Sequence, residues 1–262
     1  MMFLGDYFKN IQSTYKKFFF SGISFNNTEI KKNNIFFAIK GNKIDGNDFI
    51  SSAISNGAKI VVTENKINGL KNGILFIHSN NIRKLLAKIS FKINNKIPNN
   101  IIAVTGTNGK SSIADFYYQI LDLNNKKVAS IGTLGVKSKK YKKNLSNTTI
   151  DPIQLSKILN KLKKQNINNV IMEASSHGLS QNRLDGLLFN TGIFTNFSQD
   201  HLDYHKNTKN YLKAKLYLFK KLIKKKGNII TDEQIPEFKK IKNIATNKNL
   251  NLFSLLDKKN DF

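Results

Sequence analysis

Short apolar runs alternate with amphipathic stretches from residue 1 to residue 97. The runs of strand length, rich in Ile, Val and Phe, are residues 34–40, 59–63 and 74–77. Residues 45–54 and 81–93 have apolar positions at helical spacing; Gly57 is placed to end the first helix and Asn81 to cap the second. This order predicts a small α/β domain.

A polar segment, residues 94–100, contains Pro98 and interrupts the pattern, so we expect a domain boundary between residues 97 and 98. Strands and helices alternate again beyond it. The predicted strands are residues 101–105, 128–132, 169–172 and 193–196, and a further strand starts at Ile229. One predicted helix starts at Lys110, and two more cover residues 152–165 and 211–224. Residues 237–262 have weak periodicity and do not mark a finished domain. The alternation predicts a doubly wound, mostly parallel sheet with helices on both faces.

The segment after the strand at residues 101–105 is the most informative of the chain. Its residues are Gly106, Thr107, Asn108, Gly109, Lys110, Ser111 and Ser112. The glycines let backbone N–H groups face an anion, and the helix N-terminus adds the positive end of its dipole. Lys110 can reach the outer phosphates of a nucleotide, and Ser111 can coordinate Mg²⁺. Val104 stands where a Walker A loop has its first glycine, so this is a shorter variant; the alternative is an ordinary glycine turn.

Polar residues follow the ends of two later strands. Glu173 ends the apolar run at residues 169–172, where P-loop enzymes place an Mg²⁺-binding carboxylate; the alternative is a solvated acid. His201 lies just past the strand at residues 193–196 and suits either a metal or a phosphate, since Mg²⁺ prefers oxygen ligands. Ligands of such sheets gather at the carboxyl ends of the strands, so we expect both residues near the loop.

Two polar segments are candidates for substrate binding. Gln181 and Arg183 carry an amide and a guanidinium group that can grip a carboxylate, a phosphate or a sugar. Asn147, Thr148 and Thr149 could hold an acyl or phosphoryl group. Each segment could instead be an exposed loop.

The net charge of +26 raises the possibility of nucleic-acid binding. Only Arg83 and Arg183 are arginines, and the lysines are scattered rather than interleaved with aromatic residues in a stripe, so we expect no nucleic-acid partner. The chain has no cysteine, no apolar run near the roughly 18 residues of a membrane span and no secretory leader pattern. We therefore expect a cytoplasmic protein without membrane insertion.

Taken together, these segments resemble the Mur ligase family. The matching parts are residues 106–112, 147–149, 173–183 and 195–205 and the pair Tyr211 and Lys215. Residues 35–46 and 48–58 are similar to the family's UDP-sugar-binding domain. The resemblance implies a small N-terminal α/β domain at residues 1–97 and an incomplete central ATP-binding domain at residues 98–262, with the family's C-terminal domain absent from this chain.

The resemblance also implies a reaction and roles for residues. The family members most similar in these segments use ATP to add the third amino acid, meso-diaminopimelate or lysine, to UDP-N-acetylmuramoyl-L-alanyl-D-glutamate through an acyl phosphate. Lys110 would bind the β- and γ-phosphates and act with His201 and Lys215 in catalysis. The implied Mg²⁺ ligands are Ser111, Glu173, His201 and a carbamylated Lys215. The implied contacts to the UDP-muramoyl-dipeptide are Asn147, Thr148, Thr149, Ser175, Gln181 and Arg183.

The chain departs from the family pattern in the N-terminal domain, where Asn26, Asn27 and Thr28 replace an Asp-Ser-Arg triplet near the expected uridine site. We expect a monomer that, ending at Phe262, binds its ligands weakly without turnover. The alternatives are an inactive nucleotide- or UDP-sugar-binding fragment and a related ligase that makes cyanophycin or folylpolyglutamate.

Overall fold

The computed structural model describes residues 1–41 and 44–255. The chain forms two compact units, Met1–Ile93 and Asn94–Phe262. Within the described residues, none of the helices has the length and apolar character needed to cross a membrane.

The first unit is built around a five-stranded sheet. Its strands and those of a separate two-stranded pair are β1 Met2–Phe3, β2 Phe19–Phe20, β3 Gly22–Ser24, β4 Asn34–Phe37, β5 Ala58–Thr63, β6 Gly69–Lys71 and β7 Ile74–His78. Its helices are α1 Leu4–Tyr7, α2 Ile50–Ser55 and α3 Ile82–Ile93, with 3₁₀ turns at Ser13–Tyr15, Asn27–Glu29 and Gly46–Phe49. The sheet order is β3-β4-β5-β7-β6, parallel except for β6, and β1 pairs with β2. All four side chains of β4 are buried, as expected for a central parallel strand.

The second unit is a doubly wound sheet, which confirms the predicted fold class. Its strands are β8 Asn100–Thr105, β9 Val128–Gly132, β10 Gly135–Lys137, β11 Lys142–Lys143, β12 Asn169–Glu173, β13 Phe189–Phe194, β14 Ile223–Thr231 and β15 Asn251–Ser254. Its helices are α4 Lys110–Leu123, α5 Pro152–Lys164, α6 Ser176–Ser180, α7 Leu202–His205, α8 Thr208–Tyr217 and α9 Phe238–Lys248. The order β11-β10-β9-β12-β8-β13-β14-β15 is parallel from β9 to β15, and β8 lies between β12 and β13.

The elements differ from the sequence predictions mainly at their ends. The helix predicted at residues 211–224 begins three residues earlier, because the Asn207 side chain accepts from the Asn210 N–H, and it ends in a π-helical turn, Leu218–Leu222. Ile223 already pairs with Phe189 in the sheet, so the predicted end of this helix at residue 224 was wrong.

The weak periodicity at residues 237–262 concealed two elements. Helix α9 buries Ile241, Ile244 and Ala245, and β15 pairs in parallel with β14. Residues 256–262 of that segment lie outside the described residues.

Candidate functional site

The loop between β8 and α4 has the glycine conformations that a close approach to an anion requires. Gly106 has φ of +151° and Gly109 has φ of +81°, and α4 begins at Lys110. A Cβ on Gly106 would lie 1.8 Å from Thr195 Oγ1, so only glycine fits there.

The residues after β13 hold this loop from the neighbouring strand. The Asn108 N–H donates to Asn196 Oδ1 at 2.9 Å, and the Thr107 N–H donates to the Asn196 carbonyl oxygen at 3.0 Å. The Thr195 hydroxyl donates to the Asn108 carbonyl oxygen at 2.6 Å. The loop is therefore preorganised by β13, its neighbour in the sheet.

Two lysine ammonium groups converge on the loop. Lys110 Nζ donates to the carbonyl oxygens of Gly106 at 2.9 Å and Thr107 at 2.7 Å, and Lys215 Nζ donates to that of Gly106 at 2.6 Å. Lys215 is 1% exposed, and its ammonium lies 4.3 Å from the centre of the Tyr211 ring. Burial, assisted by the charge of Lys110, lowers the pKa of Lys215 to about 7. Burial also lowers the pKa of Lys110, against the opposing charge of Glu173.

A buried carboxylate faces the start of α4. The Ser111 hydroxyl lies 3.0 Å from both carboxylate oxygens of Glu173, which is 2% exposed. Thr133 donates its N–H to Glu173 Oε1 at 2.8 Å and its hydroxyl to Oε2 at 3.2 Å. A Cβ on Gly132 would lie 2.2 Å from Glu173 Oε1, so this glycine makes room for the carboxylate. The Ser111 hydroxyl and the Glu173 carboxylate supply the oxygen ligands that Mg²⁺ prefers, so these two residues fit that ion.

The predicted substrate residues partly form one network. The Thr149 hydroxyl donates to the Glu173 carbonyl oxygen and accepts from the Ser175 N–H, both at 2.9 Å. Arg183 donates to the Thr149 carbonyl oxygen and, through Nε and Nη2, to Gln181 Oε1 at 3.0 and 2.8 Å. This network places Arg183 and Gln181 beside the strand that carries Glu173.

Asn147 and Thr148 lie at the edge of that network. The Thr148 hydroxyl contacts the Thr133 hydroxyl at 3.0 Å, whereas Asn147 is exposed and bonds to Ser146. The structure therefore links Thr148 to the carboxylate site and leaves Asn147 at the surface. Ser112 is also exposed.

His201 lies in a cluster of histidine and tyrosine rings. The His177 ring is 4.9 Å from that of His201, 5.4 Å from that of His205 and 4.1 Å from that of Tyr204. His201 has φ of +53°, and its Nε2 lies 3.4 Å from Asp200 Oδ2. Burial, assisted by the two neighbouring histidines, lowers the pKa of His205 to about 4.

Of the predicted metal ligands, Ser111 and Glu173 are in direct contact. Lys215 bonds instead to the phosphate loop, and the centre of the His201 ring lies 6.0 Å from that of the Tyr211 ring. Across residues 1–41 and 44–255, no group of three or more His, Cys, Asp or Glu side chains is arranged to hold a metal.

Sequence reasoning missed the residues that support the loop and the carboxylate. Gly132 and Thr133 lie at the carboxyl end of β9, and Thr195 and Asn196 follow β13. Both strand ends meet the same edge of the sheet as the loop, and that rule could have drawn attention to these residues.

A phosphate-type loop after a central parallel strand, with a carboxylate ending the adjacent strand, is the arrangement typical of α/β nucleotide-binding proteins. The family models are more specific. A model of the Mur ligase middle domain matches residues 104–262, and one of the Mur ligase family catalytic domain matches residues 20–103. The chain belongs to the Mur ligase family.

The curated relatives share one name. The UDP-N-acetylmuramoyl-L-alanyl-D-glutamate--2,6-diaminopimelate ligase of Rickettsia typhi is 39% identical over 256 residues, which are 96% of this chain and 51% of that protein. The protein of that name from Wigglesworthia glossinidia brevipalpis is 41% identical over 253 residues, 91% of this chain and 51% of that protein. The chain spans about half the length of the curated relatives it matches.

Solved structures agree with this assignment of the fold. A structure of a UDP-N-acetylmuramoyl-L-alanyl-D-glutamate--2,6-diaminopimelate ligase matches with a TM-score of 0.82 and 26% identity, covering 100% of this chain and 54% of that chain. The MurF ligase from Thermotoga maritima in complex with ADP matches with a TM-score of 0.58 and 19% identity, covering 88% and 49%, and shows likeness of fold alone.

Proposed function

We propose that this chain supplies the nucleotide and acceptor sites of a ligase that uses ATP to join diaminopimelate to UDP-N-acetylmuramoyl-L-alanyl-D-glutamate. The observation that carries the proposal is the phosphate loop at Gly106–Ser111 beside the buried carboxylate of Glu173. The names of the curated relatives support the identity of the acceptor and of the amino acid.

Lys110 is the residue that would neutralise charge during phosphoryl transfer. Its ammonium group now bonds to loop carbonyl oxygens and would exchange them for the β- and γ-phosphates of ATP. Ser111 and Glu173 would hold Mg²⁺, which when bound stabilises the charge that develops on the phosphate oxygens. In the proposed reaction the acceptor carboxylate attacks the γ-phosphorus of ATP, the bond to the β-phosphate oxygen breaks, and ADP leaves as the acyl phosphate forms. The amine of diaminopimelate then attacks the acyl carbon, inorganic phosphate leaves, and loss of a proton from nitrogen gives the amide.

Arg183 and Gln181 are the residues best placed to orient the acceptor. The guanidinium group of Arg183 can bind a carboxylate in a bidentate manner, and Thr149 and Ser175 connect it to the strand of Glu173. Thr148 and the exposed Asn147 would complete the acceptor contacts.

Lys215 would contribute as a carbamate. Its buried amine can react with CO₂ when neutral, and the product exchanges a cation for an oxygen ligand that would hold Mg²⁺ together with His201. Nuclear magnetic resonance with ¹³C-bicarbonate tests this step: a carbamate signal absent from Lys215→Ala supports it, and identical spectra contradict it.

Calorimetric titration tests the proposed ligands. We expect the chain to bind MgATP and UDP-N-acetylmuramoyl-L-alanyl-D-glutamate, and Lys110→Ala to weaken MgATP binding at least about tenfold, since one charged contact to phosphate is lost. Lys126→Ala, at an exposed position after α4, is the control. A chain that binds folate but not the UDP-muramoyl-dipeptide would contradict the proposal in favour of a folylpolyglutamate-type ligase.

Phosphate release measured with ATP and the dipeptide, with diaminopimelate or lysine added, tests the reaction. Release that requires diaminopimelate supports the ligase and its amino acid. Binding of both ligands without release supports the alternative that this chain is a binding module.

A further inference from the structure

The first unit contains a cavity that the proposed ligase chemistry does not use. It has a volume of about 430 Å³ and is formed by residues of the N-terminal segment 7–15, β7 and α3 together with Asn68. Small-molecule sites have volumes of roughly 300–1,000 Å³. The cavity opens to solvent beside the exposed Lys9, Lys88 and Lys92, and its size makes it a candidate binding site.

The floor of the cavity is largely apolar. Phe8, Leu75 and Ile77 line it and are almost fully buried, and Ile11 and Leu85 line it as partly buried residues. A ligand with an apolar body would remove the remaining exposed carbon surface, chiefly that of Ile11 and Leu85, from water, at about 25 cal/mol for each Å² covered. Asn10, Gln12, Asn68 and His78 also line the cavity, so its lining is mixed, and its apolar part suits a hydrocarbon or an aromatic ring.

The rim of the cavity is cationic. Lys9, Lys88 and Lys92 line it, and none of the described residues that line it is an aspartate or a glutamate. Lysine is frequent throughout this chain, so the number of lysines at the cavity is not by itself evidence of a site. The positions of their ammonium groups are. Lys92 Nζ bonds to the Asp6 carbonyl oxygen and lies 5.6 Å from the centre of the Tyr7 ring, which holds its charge in place.

Lys88 and Lys92 lie one turn apart on α3. Like charges at this spacing repel each other and destabilise a helix. An anion bound by the two ammonium groups would offset that repulsion, and the apolar residues line the same cavity as the two lysines. The two features together describe a site for a molecule with an apolar body and one anionic end.

We propose that this cavity binds an amphipathic organic carboxylate, with its apolar body against Ile11 and Leu85 and its carboxylate bound by Lys88 and Lys92. The inference is independent of the proposed ligase reaction. Residues 26–28, which the family resemblance places near the uridine, do not line the cavity.

Calorimetric titration of the full chain tests the ligand class with two probes. Decanoate represents an aliphatic body and 1-naphthoate an aromatic one, and 1-decanol and 1-naphthalenemethanol are their neutral counterparts. We expect at least one carboxylate to bind with a stoichiometry of one and its neutral counterpart to bind at least about tenfold more weakly, as loss of a charged hydrogen bond implies. The carboxylate that binds identifies the kind of body. Equal affinity of acid and alcohol, or no saturable binding at millimolar concentration, would overturn the proposal.

Three variants place the binding in the cavity. Lys88→Gln should weaken carboxylate binding about fivefold, the effect of one exposed ion pair. Lys71→Gln, an equal charge change on β6 outside the cavity, should leave it unchanged, and Leu85→Trp should abolish it by filling the apolar floor. Circular dichroism checks folding; if Leu85→Trp does not fold, the comparison of the two lysine variants decides. Equal effects of those two variants, or displacement of the carboxylate by UDP, would refute the proposed site.

Discussion

Lys110 and Lys215 place two ammonium groups against one backbone oxygen, that of Gly106. Lys215 is buried and Lys110 is partly buried, and burial is the main reason that the pKa of each is lowered. Two like charges in a region of low dielectric raise the free energy of the protein, and a bound polyphosphate would offset that cost. The arrangement therefore favours an anion at the loop more strongly than either lysine would alone.

Replacing Lys215 tests the free-energy cost of its buried charge, because that cost depends on pH. Its pKa is about 7 in the folded chain and 10.5 in its ordinary state, so the unfolded chain binds more protons between these values and stability rises with pH across that window. We expect Lys215→Met to raise the free energy of unfolding at pH 7 by about 1–3 kcal/mol, because a buried charge is removed. Its advantage should shrink as the pH rises toward 10.

Urea unfolding between pH 7 and pH 10, in buffer purged of CO₂, measures this difference. Lys213→Met, at an exposed position on the same helix, should give a curve that runs parallel to that of the parent chain. A constant difference between Lys215→Met and the parent across the pH range would show that Lys215 does not titrate in this window.

Gly132 offers a test of the carboxylate site that changes no charge. An added Cβ would lie 2.2 Å from Glu173 Oε1 and 2.6 Å from Glu173 Cδ, so Gly132→Ala should displace the carboxylate from Ser111. We expect MgATP binding to weaken about tenfold, as loss of a contact to a charged group implies.

Calorimetric titration at several Mg²⁺ concentrations measures the effect of Gly132→Ala. Gly73→Ala, in the unit Met1–Ile93, is the control for a general loss of stability caused by replacing a glycine. Gly73 has φ of +76°, and its added Cβ would meet nothing within 4 Å. Unchanged MgATP affinity in Gly132→Ala would remove Glu173 from the proposed metal site.

At the scale of elements, the sequence predicts best the features that are formed by residues close together in the chain. The β8–loop–α4 unit follows from an apolar run, two glycines and a lysine that are neighbours in the chain. Thr133 and Asn196 could not be assigned in the same way, because they reach the site only through the parallel pairing of β9 with β12 and of β13 with β8. The end of α8 was missed for a similar reason, since pairing of Ile223 with Phe189 overrides a helical pattern.

Helix α8 and the turn after α6 carry different parts of the proposed site and are joined by hydrogen bonds. Helix α8 holds Lys215, a proposed metal ligand, and the turn holds Gln181 and Arg183, which are proposed to contact the acceptor. The Tyr217 hydroxyl donates to Asp185 Oδ1 at 2.9 Å, and Asn182 Nδ2 donates to Asp185 Oδ2 at 3.1 Å, with Asp185 3% exposed. This connection should keep the two parts at a fixed spacing.

Tyr217→Phe tests the connection. The substitution removes the hydrogen bond to the buried carboxylate and the one that Asn182 Nδ2 donates to the hydroxyl at 3.3 Å, and it should lower the free energy of unfolding by about 1–3 kcal/mol. Amide hydrogen exchange should quicken at residues 176–183 in particular. Tyr141→Phe keeps its ring against Lys161 and is the control. Exchange that quickens uniformly over the chain would indicate general destabilisation rather than loss of a local tie.

At the scale of the whole molecule, the proposed nucleotide site belongs to one unit. Every residue proposed for ATP and Mg²⁺ lies between Gly106 and Lys215, within the unit Asn94–Phe262. The residues that hold the phosphate loop and the carboxylate are in that unit as well. The proposed carboxylate cavity lies in the unit Met1–Ile93. Each site can therefore be lost without direct damage to the other.

A fragment of residues 94–262 provides the last test. Domains with their own core can fold alone, and this unit has a sheet of eight strands with Val104, Ile171 and Phe194 fully buried. We expect the fragment to bind MgATP within about threefold of the full chain, because each proposed contact is retained, and to lose binding of decanoate and 1-naphthoate. Circular dichroism establishes that the fragment is folded before calorimetric titration. A folded fragment that does not bind MgATP would mean that the first unit supplies part of the nucleotide site, and one that still binds the carboxylates would move their site out of the first unit.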